Sequence, residues 1–258
     1  MRSTERNGPV SVIGRVSAII GCFAEADTAL TVGEISRRTG IAKTTVWRLT
    51  AELAEHGFLE AGSDGLSLGL RLFELGESTT RPRSLRRLAL ARMEALRQQT
   101  GLTVHLAVLR DVDVVYIEIL HARASPKMPS RVGGRVPAHA TGVGKALLAF
   151  SPPSVLEAVV ARGLEAVGPR TITDPDALRD ELGLVRGRGI ATEREESAPG
   201  VACVAVPIVL TDGVAAAALS ASGPASAVEP TALTGPLKAA ADALQSQTDR
   251  LSRPRVAI

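Results

Sequence analysis

Gly142-Val143-Gly144-Lys145 is the stretch of this sequence whose residue types come nearest to a ligand cradle. Glycines that open a helix leave backbone amides uncovered at its positive end, and such amides favour an anion or a carbonyl oxygen. Ser220 and Ser222 lie two apart in an apolar run, so as strand residues they place both hydroxyls on one side. Cys203 lies in the preceding apolar run, a candidate facing strand. The same residues also admit a purely architectural reading, with Cys203 a small buried hydrophobe and the serines satisfying backbone groups.

Catalytic motifs are incomplete. A phosphate loop needs glycine at position 139 and Ser or Thr after the lysine, but the chain has His139 and Ala146 there. A nucleophile elbow fails at Ala61, where Ala61-Gly62-Ser63-Asp64-Gly65 would need glycine. His56, His105, His121 and His139 show no metal-ligand spacing, and Cys22 and Cys203 form neither CxxC nor CxxH. No metal or cofactor is therefore expected. A hydrolase using Cys203 and His139 is the enzyme alternative, and turnover of candidate metabolites would mark it.

A second chemistry is carried by Thr31 to Leu68. Thr31-Val32-Gly33-Glu34 has capping-box spacing, which predicts a helix that stops at Gly40 and a second from Lys43 through His56. Two helices joined by a short glycine-containing turn form a DNA-reading unit. Val46, Leu49 and Leu53 make a buried stripe on the second helix, leaving Thr44, Thr45 and Arg48 together on the other face. Arg48 and the hydroxyls can reach base edges and phosphates, with an arginine-to-guanine contact the specific one. Lys43 and Arg37 are the expected phosphate partners. Ala42 carries no capping group, so Thr44 or Thr45 could instead cap the helix. Phe58 to Ala61 and Leu66 to Leu68, joined by Gly62-Ser63-Asp64-Gly65, read as the hairpin wing. Asp64 at its tip disfavours strong phosphate contact there.

The elements that must hold these groups follow from periodicity. Val12, Val16, Ile19, Ile20 and Phe23 predict a helix over Ser11 to Ala26, and Leu70 to Leu75 a short helix after the wing. Pro82 is expected to break the chain and Ser84 to cap a long helix with Leu85, Leu88, Ala89, Met93 and Leu96 inward, ending at Gly101. Thr103 to Leu109 and Val114 to Leu120 read as a hairpin. Helices follow over Thr141 to Phe150, Pro153 to Arg162, and from Asp174-Pro175 to Gly187–Gly189. Val201 to Leu210 and Val214 to Ser222 read as strands, and Pro230 to Leu251 as a final helix. Strands at both ends with helices between argue for an antiparallel α+β domain.

Composition sets the outer limits. With 258 residues and 45% hydrophobic side chains the chain can bury a core and has room for about two domains. No apolar run approaches the roughly 18 residues that span a bilayer. Met1-Arg2-Ser3-Thr4-Glu5-Arg6 leads into no secretory segment, so a reducing cytoplasm is the expected compartment and no membrane partner is indicated. Residues 1–80 carry 8 Lys+Arg against 10 Asp+Glu, while residues 81–100 carry 6 against 1, all arginine: Arg81, Arg83, Arg86, Arg87, Arg92 and Arg97. These arginines read either as a solvated helix face or as groups near DNA phosphates. An effector-independent DNA-binding protein is the third alternative; the acidic first segment and the large remainder of the chain count against it.

Four stretches together resemble the IclR-type transcriptional regulators, over about Val12 to Leu251. They are Leu30 to Leu49 (LTVGEISRRTGIAKTTVWRL) continuing to Glu55–Leu59, Arg131 to Ala149 (RVGGRVPAHATGVGKALLA), Arg194 to Pro207 (REESAPGVACVAVP) and Ala218 to Pro224 (ALSASGP). The resemblance implies an α+β chain with a winged helix-turn-helix over 9–76, a linker helix over 77–100, and a GAF-like effector-binding and oligomerisation domain over 101–253. It further implies homodimers or dimers of dimers acting on a double-stranded operator, repression rather than activation, and control by a small-molecule effector. By the same resemblance Trp47 occupies a position usually aromatic, able to stack on DNA backbone or fill the domain core. The effector pocket would comprise Gly142, Val143, Glu193, Cys203, Ser220 and Ser222, with Glu193 standing where some relatives carry Asp. The low aromatic content, 2%, favours a small polar or carboxylated metabolite over a stacked aromatic one.

Overall fold

The computed structural model describes residues 11–25, 29–123, 125–126 and 128–252. The expected boundaries at residues 9, 26 and 253 lie outside them. The chain divides into two compact units between Thr80 and Arg81. Among the described residues no helix is long and apolar enough to cross a membrane.

In the first unit, Ser11 caps α1 (Val12–Gly21) by accepting the Gly14 amide at 3.0 Å. A 3-10 turn over Cys22–Glu25 follows, so Phe23 reaches the core from outside the helix. Val12, expected in the buried stripe, is exposed together with Ile13. Leu30 exchanges two backbone hydrogen bonds with Leu66, of 2.8 and 2.9 Å, an isolated antiparallel bridge onto the wing.

The capping box forms as read. Thr31 Oγ1 accepts the Glu34 amide, Glu34 Oε2 accepts the Thr31 amide at 2.7 Å, and α2 (Val32–Thr39) begins there. Gly40 ends it in the left-handed conformation, φ +70°, which costs a glycine nothing. Then come α3 (Lys43–Glu55), β1 (Leu59–Gly62), β2 (Gly65–Leu68) and α4 (Leu70–Glu77). Ile19, Leu30, Ile35, Val46, Leu49, Leu53 and Leu59 close one small core.

The second unit begins on α5 (Thr80–Thr100). The expected break at Pro82 and cap at Ser84 do not occur. Pro82 sits in the first turn, where its missing N–H forfeits no helical hydrogen bond. The inward stripe is as expected, with Leu85, Ala89, Met93 and Leu96 buried and Leu88 half-buried.

A hairpin of β3 (Thr103–Arg110) and β4 (Asp113–Leu120) follows, then β5 (Arg135–Pro137) and a 3-10 turn over Ala138–Ala140. Next are α6 (Gly142–Ala149), α7 (Pro153–Arg162), α8 (Pro175–Arg188), β6 (Ala191–Arg194), β7 (Val201–Val209), β8 (Ala215–Pro224) and α9 (Pro230–Ser252). The six strands form one sheet in the order β5-β4-β3-β8-β7-β6, every neighbouring pair antiparallel.

Strand alternation sorts the two faces of this sheet. Val104, Leu106, Val204, Val206, Leu219 and Ala221 pack against α5 and α9 through Met93, Leu96, Leu237 and Leu244. The other face carries small residues, among them Cys203, Ala205 and Ala218, and meets α6 and α8 through Val143, Leu147, Leu178 and Leu182. Small side chains let α6 settle close to the sheet. A Cβ on Gly142 would meet Cys203 Sγ at 2.9 Å.

Candidate functional site

The first candidate surface is α3. Its N-cap Ala42 makes no side-chain cap, and neither Thr44 nor Thr45 supplies one. Both hydroxyls are left for other partners: Thr44 is exposed and Thr45 half-buried. Lys43, Arg48 and Arg37 are exposed, and none of the three is paired with a carboxylate of the described residues. Trp47 is 66% exposed, so it does not fill the domain core. Acidic surplus in this unit lies elsewhere: Glu52 and Glu55 occupy the far end of α3, and Glu34 is held in the capping box, where hydrogen bonds from Thr31 keep its carboxyl low. Basic charge and hydroxyls thus share the N-terminal half of one helix, the arrangement that suits a phosphate-flanked groove. At the wing tip Ser63 donates to Asp64, so the turn presents a carboxylate and no cation.

The linker arginines divide. Arg86 pairs with Glu118 of β4, and Arg97 with Glu94 at 2.6 Å on its own helix. Arg83, Arg87 and Arg92 are exposed. The Arg81 side chain lies outside the described set.

A second candidate site is a cavity under the N-terminus of α6. All six residues expected there line it: Gly142, Val143, Glu193, Cys203, Ser220 and Ser222. Sheet register explains the convergence. Glu193 pairs with Cys203 and Cys203 with Ser222, while Ser220 pairs with His105, so two adjacent rows of the sheet face the helix. Cys203 is therefore beside the serines in the same sheet and not on a facing strand. Thr141 Oγ1 caps the Gly144 amide at 3.0 Å. The amides of Gly142 and Val143 have no acceptor among the described residues.

Sequence reasoning missed His105, Tyr116, Met128, Pro129, Ser130, Ser197 and Val201 on this wall. His105 Nε2 lies 2.9 Å from Ser130 Oγ, and its Nδ1 lies 3.4 and 3.5 Å from the hydroxyls of Ser220 and Ser222. Burial pushes its pKa down to about 3, so the ring is neutral, one nitrogen a donor and the other an acceptor. The free space amounts to about 20 Å³, room for about one water.

The structure does not bring Cys203 and His139 to one site. Burial, reinforced by Glu193, pushes the Cys203 thiol up to about 12, the reverse of what a nucleophilic cysteine needs. His139 lines a different, half-open cavity of about 350 Å³ with Val112, Arg162 and Glu165, and its Nε2 is bound to the Glu165 carbonyl at 3.0 Å. The failed phosphate-loop lysine is likewise turned inward. Lys145 is 1% exposed, with Nζ 2.9 Å from Glu181 and 2.7 Å from Glu196.

Comparison with known proteins covers both units. The model of the IclR helix-turn-helix domain matches residues 12–62, and that of the bacterial transcriptional regulator IclR C-terminal matches residues 78–246. The regulator XynR of Escherichia coli K12 is 32% identical over 217 residues, 83% of this chain and 86% of its own. The transcriptional repressor IclR of the same organism is 30% identical over 226 residues, 86% and 82% of the two chains. Among solved structures, an IclR homolog from Microbacterium hydrocarbonoxydans complexed with 4-hydroxybenzoate superposes with a TM-score of 0.85 at 34% identity, covering 94% of this chain and 100% of that one.

Proposed function

This chain belongs to the IclR family of bacterial transcriptional regulators, and we propose that it is a cytoplasmic repressor working as a homodimer or a dimer of dimers. Its helix-turn-helix binds DNA and its C-terminal domain responds to a small-molecule effector. In the proposed assignment Arg48 reads a base edge, Thr44, Thr45 and Trp47 contact the groove and its backbone, and Lys43 and Arg37 hold phosphates. The effector, a small carboxylate or other polar metabolite, lies at the Gly142 and Val143 amides with Glu193, Cys203, Ser220 and Ser222 around it. One observation carries the effector assignment: Gly142 and Val143, whose amides have no acceptor among the described residues, line the same cavity as four polar side chains from three strands. The 4-hydroxybenzoate held by the Microbacterium homolog supports a carboxylate as the ligand class. Any such ligand must spread the cavity walls to enter.

Two variants separate the halves of this proposal. Arg48→Ala is expected to weaken binding to the operator by about 1–3 kcal/mol and to relax sequence preference. Competition with random duplex checks it, and unchanged discrimination would return Arg48 to a phosphate role. The double variant Ser220→Ala, Ser222→Ala keeps the cavity volume and should leave operator affinity intact while weakening the effector response about tenfold, the loss of one good hydrogen bond. Electrophoretic mobility titrations with and without effector measure it. An undiminished response would move the effector elsewhere.

A further inference from the structure

The Lys145 ammonium and the carboxyls of Glu193 and Glu196 are buried beside the effector cavity, and the partly exposed carboxyl of Glu181 borders them. Lys145 of α6 reaches Glu181 of α8 and Glu196 Oε1. Glu196 Oε2 is buried without a hydrogen-bond partner. Glu193 of β6 is tied to the same segment: its Oε1 accepts the Glu196 amide at 2.7 Å, the Ser197 amide at 3.0 Å and the Ser197 hydroxyl at 3.3 Å. Its Oε2 receives no hydrogen bond from a described residue, while the side chain lines the cavity. The other groups facing Glu193 are the Cys203 thiol of β7 and the Tyr116 phenol of β4, both held protonated by burial, and the neutral His105 of β3. Fully ionised, the cluster would bury two negative charges, Glu193 and Glu196, against one positive, with the partly exposed Glu181 a third negative charge at its edge.

This arrangement decides what Glu193 can offer a ligand. As a carboxylate it is an acceptor on both oxygens and repels an anion seated at the Gly142 and Val143 amides. As a carboxylic acid it keeps Oε1 as the acceptor of its three present donors and turns Oε2 into a donor. We propose, resting on the effector reading above, that an anionic effector enters the cavity together with one proton, which resides on Glu193 Oε2 and is donated in a hydrogen bond to the ligand. The chemistry of proton uptake balances simply: solvent supplies the proton, no bond but O–H forms, and release of the anion returns it. Burial raises the Glu193 carboxyl against the lowering effect of the Ser197 and Glu196 amides, and the Glu196 charge adds to the rise where Lys145 opposes it, so protonating Glu193 costs less than protonating an ordinary carboxylate.

The sign follows from linkage. Affinity for the anion is full below the pH at which Glu193 ionises in the folded protein and falls roughly tenfold per pH unit above it. The test uses the full chain and three probes: acetate, benzoate and 4-hydroxybenzoate. Infrared difference spectra of wild type against Glu193→Gln should show the carboxylic-acid carbonyl of Glu193 persisting to a pH above the ordinary carboxylate range, and further still with a bound probe. Calorimetry in buffers of different ionisation enthalpy, at a pH above the free-protein midpoint of Glu193, should find uptake approaching one proton per anion, falling to none below that midpoint. Glu193→Gln keeps an acceptor and a donor, so it should bind the probe with a flat pH profile. Ionisation of Glu193 in the ordinary range, or wild-type affinity independent of pH, overturns the proposal. If no probe stabilises the protein at any pH, the carboxylate reading of the cavity falls and takes this one with it; a raised Glu193 midpoint in that case would identify a buried acid with no ligand role.

Discussion

Replacing Lys145 by methionine is expected to destabilise the second unit by about 3–5 kcal/mol, the cost of removing one partner from a buried ion pair. Methionine matches the length of the stem, so packing changes little and the loss is electrostatic. Glu196, one oxygen of which lacks a partner among the described residues, would lose its only cation among them, and Glu181 would lose the same one. The carboxyls answer by taking up protons. Since burial already raises Glu196, its folded pKa rises further in the variant, and the sign is that of a raised acid: stability is retained at low pH and lost as pH rises through the folded value. The deficit should therefore be smaller near about pH 5 than near about pH 8. Scanning calorimetry on the full chain measures both. A deficit below about 1 kcal/mol at the higher pH would show that water reaches the cluster. Replacing Glu181 and Glu196 by methionine as well should recover most of the loss, because an all-apolar substitute for a buried ion group is often neutral.

Gly144→Ala is the second large effect, and local propensity gives the wrong sign for it. In a helix interior alanine is favoured over glycine by about 1 kcal/mol. At Gly144, however, a Cβ would stand 2.0 Å from the Ala138 carbonyl oxygen and 2.6 Å from the Ala138 carbonyl carbon. Those are backbone atoms of the 3-10 turn that leads into α6, and they cannot rotate away. A net loss of about 3 kcal/mol is expected, at the upper end for overpacking. Gly187→Ala is the control. It sits exposed near the end of α8 with nothing within 4 Å of the added carbon, and should stabilise by about 0.5–1 kcal/mol. Paired urea melts decide the matter, and a neutral Gly144→Ala would mean that the turn before α6 yields freely.

Much of this fold could be read from the chain because its signals are local. The Thr31 capping box, Gly40, the Asp174-Pro175 helix start and the Gly189 stop each act within one turn of backbone, and each is found where expected. What escaped is what register decides. β5 and β6 are three and four residues long, too short for alternation to register, and β6 matters because it sets Glu193 against Cys203. His105 was an isolated histidine until β3 paired with β8 and laid it beside Ser220. Lys145 drew notice only as part of a failed phosphate loop, since its partners Glu181 and Glu196 are 36 and 51 residues away in sequence. Pro82 departs from the expected break because the same residue stops a helix interior and starts a first turn, and only the helix start at Thr80 distinguishes the two. Of the six residues expected at the cavity, Gly142, Cys203, Ser220 and Ser222 are legible from the helix start and the apolar runs, while Val143 and Glu193 follow only from the family resemblance.

The chain holds one tryptophan and one tyrosine, and they fall in different units. Trp47 stands exposed on α3, while Tyr116 lines the cavity with its ring centroid 5.2 Å from that of His105. Each unit therefore carries its own chromophore. Red-edge excitation selects the indole, so its emission reports on the exposed face of α3 without interference from the phenol. The near-ultraviolet circular dichroism of a rigidly held tyrosine changes when a guest disturbs its surroundings. One unlabelled sample can thus be followed in two optical channels as operator and effector are added in either order. Because coupling between two sites is reciprocal, the displacement each ligand causes in the other's titration must agree, and a mismatch between the channels would expose a third state.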